Sequence, residues 1–122
     1  MKPGKKGAER LVDATRYSIK GIAAAWRNEA AFRQEAALGM VLLPASFLIA
    51  ANPLQWLLLI IPLLVLLITE LLNSAIENVV DRIGDDYHEL SGRAKDMGSA
   101  AVFFALALTG LTWTVIAWNN FL

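Results

Sequence analysis

The stretch "ITELLNSAIENVVD", residues 68 to 81, places Glu70, Asn73, Ser74, Glu77 and Asp81 directly after a long apolar run. Projected as a helix, these five fall within a sector of about 100° and form one polar stripe. From Leu54 to Glu70 is about 24 Å at 1.5 Å per residue, against a hydrocarbon core of about 30 Å. Glu70 is therefore expected just inside the inner edge of a bilayer, with Glu77 ~10 Å further along, among the headgroups. Ionisable groups at that depth mark function or pair with a partner, and no basic residue lies within a turn of Glu70. For Asp81 beside Arg82, ordinary charge at a helix end in water is the simpler reading.

Two kinds of chemistry suit carboxylates so placed. Magnesium takes one or two carboxylates, keeps several waters and completes its shell with phosphate oxygens. Glu77 could supply one such ligand, and Glu29 a second if the segment carrying it folds back against this helix. Glu70, nearer the hydrocarbon, would suit proton abstraction from a lipid hydroxyl.

Three apolar elements have to carry this stripe. The chain has 122 residues, 57% of them hydrophobic, and a mean hydropathy of +0.49, well beyond a soluble average. Asp, Glu, Lys and Arg are absent from residues 36 to 69, a run broken near "ANPLQW", and from 97 to 122. Three membrane-spanning helices are expected, roughly 30–50, 54–80 and 97–119, in a single domain with a basic tail over 1–7 and a connecting loop over 81–96. A signal peptide is set aside, because the first apolar segment begins late and lacks a small-residue cleavage site.

Of 11 Lys and Arg, all but Arg82, Arg93 and Lys95 precede the first charge-free run. By the positive-inside rule the N-terminus and the 81–96 loop are expected on the cytoplasmic side of the membrane. Any chemistry then belongs to that interface. There is no cysteine, which excludes disulfides and thiolate metal sites. Neither a G-x-x-x-x-G-K-[ST] phosphate loop nor a protein-kinase signature is present, and no nucleic-acid partner is expected.

Over residues 8–28, Leu11, Thr15, Ile19, Ile22 and Trp26 fall within about 80° of one another, with Glu9, Asp13, Arg16, Lys20 and Arg27 opposite. This predicts an amphipathic helix lying in the membrane surface. Continuing the projection puts Glu29 and Arg33 on the apolar stripe. Either the helix bends near Asn28, or the two form an i,i+4 pair, or Glu29 is turned into a site; the spacing does not choose.

Pro53 fits the external turn, with Trp56 at interface depth, whereas Pro44 and Pro62 lie inside helices. Trp113 and Trp118 read as an aromatic belt. Ala94, Gly98, Ala101, Ala105 and Thr109 form a small-residue stripe that permits close helix packing. The segment "RIGDDYHELSGRAKDMGS" carries both signs of charge; His88 alone is more often a surface residue than a ligand, while Lys95 and Asp96 face the same layer as Glu77.

"ELLNSAIENVVDRIGDDYHELSGRAKDMGSAAV", residues 70 to 102, together with "AAWRNEAAFRQE", residues 24 to 35, resembles the small bacterial integral-membrane diacylglycerol kinases. The resemblance implies an all-α membrane protein, a homotrimeric helical bundle with active sites between subunits, in the bacterial cytoplasmic membrane. It implies transfer of the γ-phosphate of Mg-ATP to diacylglycerol, giving phosphatidic acid. By matching position Glu70 would be the general base, and Glu29 and Glu77 would hold Mg2+ with ATP. Arg10, Tyr17, Asn73, Asp86, Tyr87, His88, Lys95 and Asp96 would be nucleotide contacts. Ala14, Ser18, Arg33, Gln34, Glu35, Ser99, Trp113 and Trp118 would lie near the lipid, beside Glu70. Position 86 is Asp where Glu is expected in the closest relatives.

An undecaprenol kinase on the same scaffold is the nearest alternative; there "KDVAAGAV"-like residues are expected in place of "KDMGSAAV", so Met97, Gly98 and Ser99 favour diacylglycerol. In a small transporter Glu70 would be a relay, but the outer halves of the spans carry no ionisable residue to continue a path. In a structural subunit the stripe would only bind a partner helix.

Overall fold

The computed structural model describes residues 6–122, and among these the regular structure is entirely α-helical. The basic tail expected over 1–7 lies largely outside the described residues. Four helices follow in order: α1, Ala8–Asn28; α2, Ala30–Ile49; α3, Pro53–Ile83; and α4, Glu89–Phe121. The last three are long and apolar enough to cross a membrane.

α1 starts after Gly7, whose φ of 62° is open to glycine and strained for other residues. Leu11, Ile19, Ile22 and Trp26 are all exposed. An amphipathic helix that turns its apolar face away from its own chain is suited to the membrane surface. The helix ends because Glu29 takes extended backbone angles, φ −119° and ψ 105°, and serves as the cap of both α1 and α2. Of the readings open for Glu29 and Arg33, the bend is therefore the one the backbone adopts. Arg33 donates to the carbonyls of Trp26 at 2.7 Å and Arg27 at 3.3 Å. The guanidinium thus serves the carbonyl end of α1, where helix oxygens lack backbone partners.

Asn52 caps α3 by accepting from the Gln55 amide at 2.9 Å, with Pro53 in the first turn. The outer turn is also held from α4, since Asn120 Nδ2 donates to the Ile49 carbonyl at 2.7 Å and to Gln55 Oε1 at 2.8 Å. α4 packs chiefly against α3, and α2 packs on α3 from another side. Leu59, Leu63 and Leu66 of α3 and Val102, Ala105 and Ile116 of α4 are buried.

Two expectations change here. Only residues 84–88 lie between α3 and α4, because helix continues through 81–83 and resumes at Glu89. The charges over 89–96 mark depth relative to the membrane, and a helix runs through them as readily as a loop does. Along α4 the buried positions are Gly98, Val102, Ala105, Thr109 and Ile116, while Ala101 is exposed. Val102 takes the place in the seam that the small-residue stripe assigned to Ala101.

Around Pro62, which has no N–H for the Leu58 carbonyl, α4 places side-chain donors on neighbouring carbonyls of α3. Trp113 Nε1 donates to the Leu59 carbonyl at 3.0 Å, while Thr109 Oγ1, bonded to the Ala105 carbonyl of its own helix at 2.9 Å, also stands 3.5 Å from the Pro62 carbonyl. Trp113 is thus turned into the bundle, and only Trp118 points outward as a belt residue would. Trp113→Phe is expected to cost about 1 kcal/mol of unfolding free energy in mixed micelles. Trp118→Phe should leave it nearly unchanged; equal losses from both would contradict the assigned role of Trp113.

Candidate functional site

The polar stripe lies on α3 where α2 and α4 flank it. Glu70 is 3% exposed, Asn73 8% and Ser74 5%. Buried polar groups require partners, and these side chains largely provide them for one another. Ser74 Oγ donates to Glu70 Oε1 at 3.5 Å, and Asn73 Nδ2 donates to Glu77 Oε1 at 3.0 Å. The four-residue spacing is what makes both contacts available on one helix face.

From α2, the carboxyl group of Glu35 comes within hydrogen-bonding reach of Glu70, and the charges of Glu77 and Glu29 are felt there as well. Glu35 was expected among lipid-side residues; its carboxyl group instead meets the stripe directly, and its Oε2 is buried without a hydrogen-bond partner. The sequence held a signal for this, since Glu35 is the last charge before the apolar run. What the spacing could not give was the angle between α2 and α3.

Beside the stripe a cavity of about 520 Å³ opens between α1 and α3, lined by Ser18, Ala25, Glu29, Ser74, Ala75 and Asn78 among others. Its walls are mostly apolar and open on the amphipathic helix. Ser18 and Glu29 thus share this cavity with α3, whereas Asn78 was not anticipated. Ala14 is half-buried on the same helix; Gln34 and Ser99 are exposed.

A second cavity, of about 310 Å³, lies at the turn between α3 and α4, lined by Asp81, Asp86, Tyr87, His88, Ser91 and Lys95 among others. Lys95 Nζ pairs with Asp81 Oδ1 at 2.7 Å, so Asp81 ties α3 to α4 and is more than a charge at a helix end. Lys95 precedes the charge-free part of α4. The hydrogen bond and charge of Asp81, reinforced by the charge of Glu77, hold its ammonium above the ordinary lysine range. His88 caps α4, its Nδ1 accepting from the Leu90 amide at 3.1 Å. Asp96 is exposed one position beyond Lys95.

Arg10 and Tyr17 are not brought to this turn. Both are exposed on α1, which contacts α2 and α3 and makes no contact with α4. Tyr17 lies instead beneath Arg16 and Lys20, whose cations stand 5.7 and 6.0 Å from its ring centre.

Among the described residues no three His, Asp or Glu side chains form a cage for a metal ion. A magnesium ion bound with a nucleotide does not need one, since one or two carboxylates and phosphate oxygens suffice. Glu29, in the wall of the larger cavity, and Glu77, on the polar stripe, are carboxylates of that kind. The turn cavity also holds more carboxylates than cations, so a polyphosphate entering it would need a cation beside Lys95. The residues present therefore fit a magnesium–nucleotide complex.

The pattern of the family described as Prokaryotic diacylglycerol kinase matches residues 16–117. The diacylglycerol kinase of Escherichia coli (strain K12) is 49% identical over 115 residues, covering 94% of this chain and 94% of that protein. The diacylglycerol kinase of Pseudomonas aeruginosa is 50% identical over 113 residues, covering 93% and 92%. That of Haemophilus influenzae is 48% identical over 107 residues, covering 88% and 91%.

Proposed function

The chain belongs to the prokaryotic diacylglycerol kinase family, and from that premise we propose that it transfers the γ-phosphate of Mg-ATP to the hydroxyl of diacylglycerol at the cytoplasmic face of the bacterial inner membrane. The observation that carries this reading is the position of Glu70. It is a buried carboxylate at the inner end of an apolar run, directly before Leu71 and bonded to Ser74, both of which line the mostly apolar cavity, with the polar turn further along the same helix. A lipid alcohol and a water-borne nucleotide can meet only at such a boundary.

Glu70 accepts the hydroxyl proton as the lipid oxygen bonds to the γ-phosphorus and the bond to the departing ADP oxygen breaks. Ser74 and Glu35 keep its carboxyl group facing the reacting hydroxyl. Glu29 and Glu77 would hold the magnesium ion, which when bound neutralises charge on the β- and γ-phosphates. Lys95 adds a fixed positive charge at the turn, while Tyr87 and His88 line the space for the nucleotide. The surface helix α1 covers the lipid cavity from the headgroup side, with Ser18 in its wall.

Arg10 and Tyr17 belong to this site only if α1 of another subunit reaches the turn, as it would in a homotrimer with sites between subunits. Exposed Leu111 and Val115 on α4 and Leu48 on α2 leave apolar surface for such packing or for lipid.

Purified protein in mixed micelles should move labelled γ-phosphate from Mg-ATP to diacylglycerol, and little or none to undecaprenol. Labelling of undecaprenol alone would reassign the lipid; no labelling of either by folded protein would overturn the kinase reading. Lys95→Met should raise KM for ATP by about tenfold or more, as loss of a charged hydrogen bond does, with KM for diacylglycerol nearly unchanged. An unchanged KM for ATP would remove Lys95 from the nucleotide site.

A further inference from the structure

Gly98 lies on the buried face of α4, against the polar stripe of α3. A Cβ atom built on it would collide with Asn73 Oδ1, and would stand 3.2 Å from Asn73 Cγ and 3.7 Å from Asn73 Cα. The same Oδ1 is buried and has no hydrogen-bond partner. On the other side of the amide, Nδ2 donates to Glu77 Oε1 at 3.0 Å.

An amide group is rigid and planar, so these facts are linked. Aiming Nδ2 at Glu77 turns Oδ1 toward α4, and there is room for that oxygen only because position 98 has no side chain. The reverse orientation would set Oδ1 against the Glu77 carboxylate, oxygen facing oxygen. A glycine within a helix destabilises it relative to alanine, and a buried amide oxygen without a partner loses its hydration with nothing in return. Both costs fall at a single contact, whose product is a carboxylate held in one orientation.

We propose that Gly98 is a positioning residue for Glu77, acting through Asn73. The inference rests on the reading of Glu77 as a magnesium ligand. Side chains behind a metal ligand commonly set its orientation and account for about 10–100-fold in metal affinity.

The test uses full-length protein in mixed micelles with a non-hydrolysable ATP analogue, titrated with Mn2+ and followed by electron paramagnetic resonance. Gly98→Ala and Asn73→Ala should each weaken Mn2+ binding by about tenfold, while KM for diacylglycerol stays at the parent value. Adding Gly98→Ala to Asn73→Ala should weaken it no further, since the group that alanine displaces is gone. Equal losses from Gly98→Ala with and without Asn73 would overturn the inference, as would parent affinity in either single variant. Should Gly98→Ala not fold, parent affinity in Asn73→Ala would still overturn the inference, because it removes the intermediary. Glu77→Gln separates the two levels: if it keeps parent Mn2+ affinity, the assignment of Glu77 as a ligand fails, and this inference with it.

Discussion

Glu70→Gln is expected to lower kcat for phosphate transfer by about 10²–10⁴-fold, the range for loss of a positioned general base. Both KM values should stay within about threefold of the parent, since an interaction made chiefly in the transition state is removed. Glutamine keeps the size of the side chain and can still accept from Ser74 Oγ, which lies 3.5 Å from Glu70 Oε1. It cannot take up a proton. The Glu35 carboxyl group also meets this position, and a carboxamide can hydrogen-bond to it in place of the carboxylate. The variant should therefore fold, bind both substrates and fail at the chemical step. A kcat within about threefold of the parent, measured on protein with parent thermal stability, would take the base away from Glu70.

The fold class was legible because its signals are local. Charge-free runs give the spans, and a 3.6-residue period with Leu11, Ile19, Ile22 and Trp26 on one side gives α1 as a separate amphipathic element. The stripe of Glu70, Asn73, Ser74 and Glu77 was legible for the same reason, since one helix face is a property of spacing. Contacts between helices were not. Trp113 and Trp118 are alike in sequence context, yet only Trp113 finds a carbonyl on α3. Glu35 was placed near the lipid by resemblance, and only the approach of α2 to α3 brings it to Glu70. Gly98 read as one small residue in a stripe, and the close approach of Asn73 is what distinguishes it from Ala101.

Glu77→Gln is expected to have the second large effect, and its signature should differ from that of Glu70→Gln. At fixed low Mg2+ the rate should fall by about 10²-fold, and raising Mg2+ should restore part of it, because a weakened ligand set is refilled by mass action. A base variant gains nothing from added magnesium. Glu29→Gln should behave alike if both carboxylates serve the one cation, Glu29 from the break between α1 and α2 and Glu77 from α3. If the two share one cation, the double variant should lose less than the product of the single losses, because the first substitution already forfeits most of what the second could remove. Strictly multiplicative losses with an unchanged Mg2+ dependence would mean that the two carboxylates act separately and that neither binds the metal.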